Sequence, residues 1–216
     1  MTRLSLATAA LLASTHIASA EFQFSAYGGW QTAPHSLVTV TGTDPQSFTA
    51  GWEGRSFEMP PYYGVRATWW MDFAPNWGLS VDFTHAKVYA DSETFANDIP
   101  TWSRFEFSDG INYLTLNAMY RFQEWNKFEP YVGLGAGISI PHVEVTRPSG
   151  TTFEYQVTGA VAEALIGVNY KLSKRYSVFG EYQFNYSANT ANIDSNSQLQ
   201  TNIITNAFAA GLSVHF

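Results

Sequence analysis

A chain of 216 residues is long enough for one domain. Charged residues are 13% and aromatics 16%, a poor composition for a soluble surface and a natural one for a strand-built membrane protein with aromatic girdles. The net charge of -7 without a basic cluster argues against nucleic acid as a partner, and the lack of cysteine excludes disulfides, thiolate metal sites and a lipid-modified N-terminal cysteine.

Mean hydropathy is slightly negative, and beyond the N-terminus no apolar run reaches the roughly 20 residues of a membrane helix. Residues 1–20 read as a signal peptide: Arg3 is the positive residue, Leu4 to Ala13 the apolar stretch and Ala18-Ser19-Ala20 the cleavage site. A β-barrel domain over residues 21–216 is expected to follow.

Residues 21–31 alternate at once, with Phe22, Phe24, Ala26, Gly28 and Trp30 on one face. Residues 32–61 are broken by Gly42, Pro45, Gly51, Gly54 and Pro60-Pro61 and are expected as a long external loop. Further strands are expected at 62–72, 77–89, 111–123, 130–145, 152–172 and 176–186. Ala74-Pro75-Asn76, residues 124–129 and Ser173-Lys174-Arg175 supply short periplasmic turns. Residues 91–110 and 187–200 read as external loops, and Arg147-Pro148-Ser149-Gly150 as a tight one. The last strand, residues 201–216, places Ile204, Phe208, Leu212 and Phe216 on one parity and small or polar residues on the other. Its terminal aromatic looks like the C-terminal signal read by the barrel-insertion machinery.

The count is eight, with short turns on one side and longer loops on the other. That pattern is all-β: an eight-stranded antiparallel transmembrane β-barrel of the bacterial outer membrane, localised there after cleavage near Ala20. Eight strands leave an interior filled by side chains, which disfavours a pore. Arg66, Asp72, Asp82, Arg121, Glu163 and Glu181 fall on lumen parity and are expected to pair as a polar plug. Gly133, Gly135 and Gly137 form G-x-G-x-G within a strand with no helix after it, so no NAD or flavin site is implied. They are read as space for bulky inward neighbours such as Tyr131.

His35, His85 and His142 all fall near the outer ends of strands, together with Glu53, Glu58, Asp91, Asp109 and Glu144. Histidines with carboxylates suit a divalent metal or acid–base work, and histidines resting at headgroup level are the plainer alternative. By simple parity His85, His142 and Glu144 continue the lipid-facing rows, so a site there faces the outer leaflet unless a bulge reverses it. Lys87, Arg55, Arg104 and Arg147 lie in the same half and are candidates for lipopolysaccharide phosphates.

The loop wording is more specific than the barrel. Pro34-His35-Ser36, Gly51-Trp52-Glu53-Gly54, Ser56-Phe57-Glu58-Met59-Pro60-Pro61-Tyr62-Tyr63-Gly64 and Thr68-Trp69-Trp70 resemble the first half of the bacterial lipid A oxidase family. Phe83-Thr84-His85-Ala86-Lys87-Val88-Tyr89-Ala90-Asp91, Pro141-His142-Val143-Glu144-Val145 and Ser177-Val178-Phe179-Gly180-Glu181-Tyr182 are similar to its later blocks. The resemblance covers nearly the whole chain after residue 20 and implies a small OmpA/OmpW-like barrel enzyme. Such an enzyme oxidises the proximal glucosamine of 1-dephosphorylated lipid A to 2-aminogluconate, with oxygen as acceptor and help from a divalent cation. Oxidation by oxygen normally needs a flavin or a redox metal. The resemblance carries over no catalytic residues; with no flavin motif the reaction needs a metal, and the rim reading assigns it to His35, His85, His142, Glu53 and Asp91, with His85, His142, Glu144 and Glu58 as catalytic candidates and Lys87, Arg55 and Arg147 on substrate phosphate. Two other classes remain open: a non-enzymatic structural or adhesion barrel, and a lipid A hydrolase using serine and histidine.

Overall fold

The computed structural model describes residues 21–216; the expected signal peptide lies outside the described residues. In chain order the elements are β1 (Glu21–Thr32), β2 (Ser36–Thr41), β3 (Gln46–Ala50), β4 (Trp52–Glu53), β5 (Tyr63–Trp70), β6 (Trp77–Ala90), α1 (Ser92–Asn97), β7 (Arg104–Arg121), β8 (Phe128–Arg147), β9 (Gly150–Tyr155), β10 (Gly159–Lys171), β11 (Tyr176–Ile193) and β12 (Ser197–His215). Eight of these form the antiparallel ring β1-β5-β6-β7-β8-β10-β11-β12, and β12 closes on β1 from Gln23↔His215 to Thr32↔Asn206. Closure matters because hydrocarbon offers no partner to a free strand edge.

Parity carries through as expected. Leu134, Phe208 and Leu212 are 68%, 63% and 64% exposed, marking the outward face, while Arg66, Asp82, Glu163 and Glu181 are buried in the lumen. Two members of the expected plug are elsewhere. Asp72 lies exposed in the β5–β6 turn, and Arg121 sits at the periplasmic rim bonded to Glu21 at 2.7 Å. Both are strand-end residues, where parity no longer decides burial.

The central lumen is one hydrogen-bonded network. Arg66 donates to Asp82 at 2.6 Å and in a fork to both oxygens of Glu181 at 2.7 and 2.8 Å. Tyr27 donates to Asp82 and Tyr131 to Glu181, each at 2.8 Å, and Asn117 donates to Glu163 at 3.0 Å. The expected use of glycine is right in kind and wrong in partner. Tyr131 packs over Gly167, whereas Gly133 makes room for Met119 and Leu165, and Gly135 for Asn117.

The strands run far past the membrane. β8 has 20 residues, β11 18 and β12 19, about twice the 9–11 that a tilted crossing needs. Three expected loops are therefore partly strand. Residues 32–61 contain the β2–β3 hairpin, which docks on β12. Residues 91–110 hold α1 and the start of β7. Residues 187–200 are almost all paired, turning through Ser195 and Asn196 with φ of 55° and 58°. The expected strand at 152–172 is divided into β9 and β10. Outside lipid the outward face need not be apolar, so the alternation fades while the ladder continues.

The extracellular lumen holds an apolar cluster. Trp52 meets Phe105 edge-on at 5.1 Å and Phe48 meets Trp102 at 5.9 Å, with Phe107, Val143, Val145 and Leu199 buried around them. The barrel is thus filled by a polar middle and a greasy cap, in keeping with its strand number.

The two halves of the polar network carry different loads. Arg66→Ala strands two buried carboxylates and is expected to cost about 3–5 kcal/mol. Tyr27→Phe removes one neutral donor and should cost about 1 kcal/mol. Heat-modifiable mobility of the detergent-folded variants measures both, and equal midpoints would contradict the network as described.

Candidate functional site

Three neighbouring strands change character at one height on the outer wall. On β6 the outward row Trp77, Leu79, Val81 and Phe83 gives way to His85, Lys87 and Tyr89. On β7, Leu114 gives way to Asn112, and on β8, Ile140 to His142 and Glu144. His85, Asn112 and Ile140 stand in register across the three strands. The polar row therefore begins immediately above the apolar belt, and it faces outward. Bulges do occur, between Ala86/Val88 and between Glu106/Ile111. They do not turn the histidines inward, because Ala86, Val88 and Ala90 keep the lumen parity of β6.

These outward side chains are nonetheless covered. His85 is 4% exposed, His142 5%, Glu144 2% and Lys87 1%. The segment between β4 and β5 crosses the wall: the Glu58 carbonyl accepts from Lys87 Nζ at 2.8 Å, and Arg55 lies 4.4 Å over the Tyr89 ring. On the other side β9 folds back along β8, so Phe153 and Tyr155 enclose the His142 ring at 4.5 and 4.6 Å. The β7 bulge fills the centre and brings Ser108 and Asp109 over the wall, with the Asp109 carbonyl held by the Tyr155 hydroxyl at 2.9 Å.

The core of the cluster is His142, Glu144 and Asp109. His142 Nδ1 donates to Glu144 Oε1 at 2.9 Å and lies 3.7 Å from Asp109 Oδ2. Ser108 donates to Glu144 Oε1 at 2.7 Å and Arg104 to Oε2 at 2.6 Å. Burial alone would push the Glu144 carboxyl up; the hydrogen bonds from Ser108, His142 and Arg104 outweigh it and hold the group below its ordinary value. Glu106 next to it moves the other way, raised by burial first and then by the Glu144 charge. His85 donates from Nδ1 to Asn112 Oδ1 at 2.8 Å, stacks on Tyr63 at 5.0 Å, and keeps a buried Nε2 without a partner among the described residues. In both histidines the partner on Nδ1 leaves the Nε2 lone pair as the free base or ligand atom.

The expected residues do not all converge. His85, His142, Glu144, Glu58, Lys87 and Arg55 share this wall. His35 is exposed beyond β1 and lies near Asp91, which caps α1 through Thr94 at 2.8 Å. Glu53 is paired with Arg55 at 2.8 Å. The five-residue metal set His35, His85, His142, Glu53 and Asp91 is therefore not assembled. Arg147 is a second correction. On β8 it has lumen parity, is buried, and is bound to Asp194 at 2.7 Å, so it does not face substrate phosphate. Asp109, Ser108, Asn112 and Tyr155 complete the cluster instead. A Ser-Asp-Gly run before a strand hinted at the bulge; nothing local indicated that β9 would fold back onto His142.

The chain matches the family described as outer membrane protein beta-barrel domain over residues 4–216. Among solved structures it resembles the outer membrane protein OprG from Pseudomonas aeruginosa at 15% identity, with a TM-score of 0.54 and coverage of 93% of this chain and 97% of that one. Neisserial surface protein A aligns at 16% identity and a TM-score of 0.52, covering 91% and 97%. At such identities the likeness concerns the fold. No curated protein sequence matches the chain.

Glu144 makes the outer wall acid-sensitive. A folded-state pKa below the ordinary carboxylate value contributes stability above that value, and the contribution is lost as pH falls through the lowered pKa. Amide protection factors across β8 and β9 should drop over that acid range in the native protein. Glu144→Gln should start lower at neutral pH and show a flatter profile; superimposable profiles would refute the linkage.

Proposed function

Because the chain belongs to the outer membrane protein β-barrel domain family, we propose that it acts on lipopolysaccharide in the outer leaflet, oxidising the proximal glucosamine of 1-dephosphorylated lipid A to 2-aminogluconate. The observation that supports this most is the outward cluster of His85, His142, Glu144 and Asp109, set just above the apolar belt where a lipid A headgroup rests. The loop resemblance to lipid A oxidases supplies the reaction class.

The chemistry balances with dioxygen as oxidant. The anomeric carbon loses its hydrogen and its hydroxyl proton with two electrons, dioxygen becomes hydrogen peroxide, and the lactone formed takes up water. The net change is one added oxygen atom. His85 Nε2, a buried base with no partner among the described residues, is suited to accept the hydroxyl proton. On the same wall Lys87 is covered and gives its Nζ to the Glu58 carbonyl, whereas Arg55 is partly exposed and would meet phosphate in exchange for Glu53.

A divalent cation fits the residues present. Asp109, His142 and Glu144 each offer one ligand atom, all within 4.8 Å of one another, and one nitrogen with two carboxylates is a set that accepts such ions once the Nδ1 proton that His142 shares with Glu144 is released. When bound there, the ion would supply Lewis acidity or a redox partner for dioxygen. Arg104 and Ser108 would orient Glu144 from behind.

A second reading, a non-catalytic structural or adhesion barrel, draws support from the same carboxylate: Glu144 is already satisfied by Arg104, Ser108 and His142. The experiment is mass spectrometry of 1-dephosphorylated lipid A incubated in air with the detergent-folded protein, with and without EDTA. A gain of one oxygen that EDTA suppresses, and that His142→Ala and Asp109→Asn abolish in folded barrels, is expected. No change across several divalent metals would favour the non-catalytic barrel, and loss of an acyl chain would indicate hydrolysis.

A further inference from the structure

At the opposite end of the barrel, three strands bring together a hydrogen-bonded series that the outer site does not use. β12 lies between β1 and β11, and the last inward side chains of the three strands meet at the periplasmic mouth. His215 Nε2 is 2.8 Å from Ser177 Oγ, and His215 Nδ1 is 2.7 Å from Glu21 Oε1. The second oxygen of Glu21 accepts from Arg121 at 2.7 Å. With Nδ1–H given to the carboxylate, Nε2 turns its lone pair toward the serine hydroxyl. Nucleophile, base and orienting carboxylate are thus linked in the order that acyl transfer requires, and such a triad is recognised by geometry whatever its order along the chain.

We propose that Ser177, His215 and Glu21 form a second, periplasm-facing site that hydrolyses acyl esters of glycerophospholipids from the inner leaflet. The surroundings fit that substrate class. A cavity of about 610 Å³ opens at the mouth beside Glu21 and His215. Its wall combines apolar Leu172 and Phe216, 53% and 68% exposed, with Lys127 and Lys174. Lys171 is tied to Glu124 and Glu129, whereas Lys127 and Lys174 make no ion pair among the described residues. One side of the cavity thus suits an acyl chain and the other a phosphate. Above the serine, Gln23 Nε2 donates to Ser213 Oγ at 3.0 Å, and Ser213 stands opposite Ser177 in the ladder. Gln23 also donates to Ser25 Oγ at 3.4 Å, and Ser25 and Ser213 are bonded at 2.8 Å, so these groups satisfy one another and fix the wall beside the serine. Gln23, Ser25 and Asn169 line a further void of about 10 Å³, room for about one water, and the buried Asn169 carbonyl has no partner among the described residues.

The step balances without a further reactant. Ser177 Oγ bonds to the ester carbonyl carbon while its proton passes to His215 Nε2. The carbon–oxygen bond to the glycerol breaks and the leaving alkoxide takes that proton. Water, giving its proton to His215, then attacks the acyl-serine; the bond from the acyl carbon to Ser177 Oγ breaks, Oγ takes the proton back from His215, and the fatty acid leaves. Ser177 is 1% exposed and touches the cavity only through His215, which lines it with Glu21, so an ester reaches the serine when the mouth residues give way and bulk water is kept from it.

The test is a fluorophosphonate probe added to the detergent-folded protein, followed by mass spectrometry of its peptides. A single adduct on Ser177 is expected, lost in Ser177→Ala and slowed at least about a hundred-fold in His215→Gln. In parallel, fatty acid release from phosphatidylglycerol in mixed micelles should require Ser177. Heat-modifiable mobility confirms that each variant is folded. No adduct on Ser177 in the folded native protein, labelling indifferent to His215, or release unchanged in Ser177→Ala would each overturn the assignment. The lipid A assay is untouched by these results, since its residues lie at the other end of the barrel.

Discussion

Closure of β12 on β1 is the constraint on which the rest of the molecule depends. Every main-chain group within the hydrocarbon must find its partner inside the protein, and for strands only a closed ring provides this. Closure then forces alternation: each strand shows one row of side chains to lipid and the next to the lumen. The apolar rows, the lumenal ion network and the height at which outward residues become polar all follow from it. Even the periplasmic triad of Ser177, His215 and Glu21 exists because β12 is flanked by β11 and β1.

Within that ring the lumen solves two different problems. At membrane depth it buries one guanidinium among carboxylates, with Tyr27, Tyr131, Asn117 and Gln183 supplying the remaining hydrogen bonds. Breaking such an arrangement is costly because an unpaired charge has nowhere to go. Above the membrane the same lumen parity carries Val143, Phe105, Phe107 and Trp52, and packing replaces pairing. Both fillings close the interior, so the polar clusters not used to fill it lie on the wall and at the mouths.

The wall site arises where two rules meet. Outward parity brings His85 and His142 to face the leaflet, and their position above the apolar belt allows them to be polar. Left bare they would be headgroup-level histidines of no special character. What gives them a defined environment is cover: the segment between β4 and β5 over Lys87, the β7 bulge that delivers Ser108 and Asp109, and β9 returning over His142. Bulges gather at barrel rims for this reason, since an extra residue re-aims side chains without breaking the ring.

From the sequence alone, the period-two rows determined the strand type, the number of ring strands, the orientation of each face and the outward aim of His85, His142 and Glu144. Alternation is local, and lipid enforces it residue by residue. The tertiary structure decided where the strands end, because beyond the membrane hydrogen bonding persists while the apolar signal stops; β11 and β12 run on through residues that read as an Asn/Ser-rich loop. It also decided which rim residues meet. Arg147 went to Asp194 in the lumen, and Asp91 went to the cap of α1. Asp109, one of the rim carboxylates read alongside the histidines, arrived beside His142 through a bulge. Those outcomes depend on register between strands and on loops folding back. Both are set by contacts among residues far apart in the chain, which no local pattern encodes.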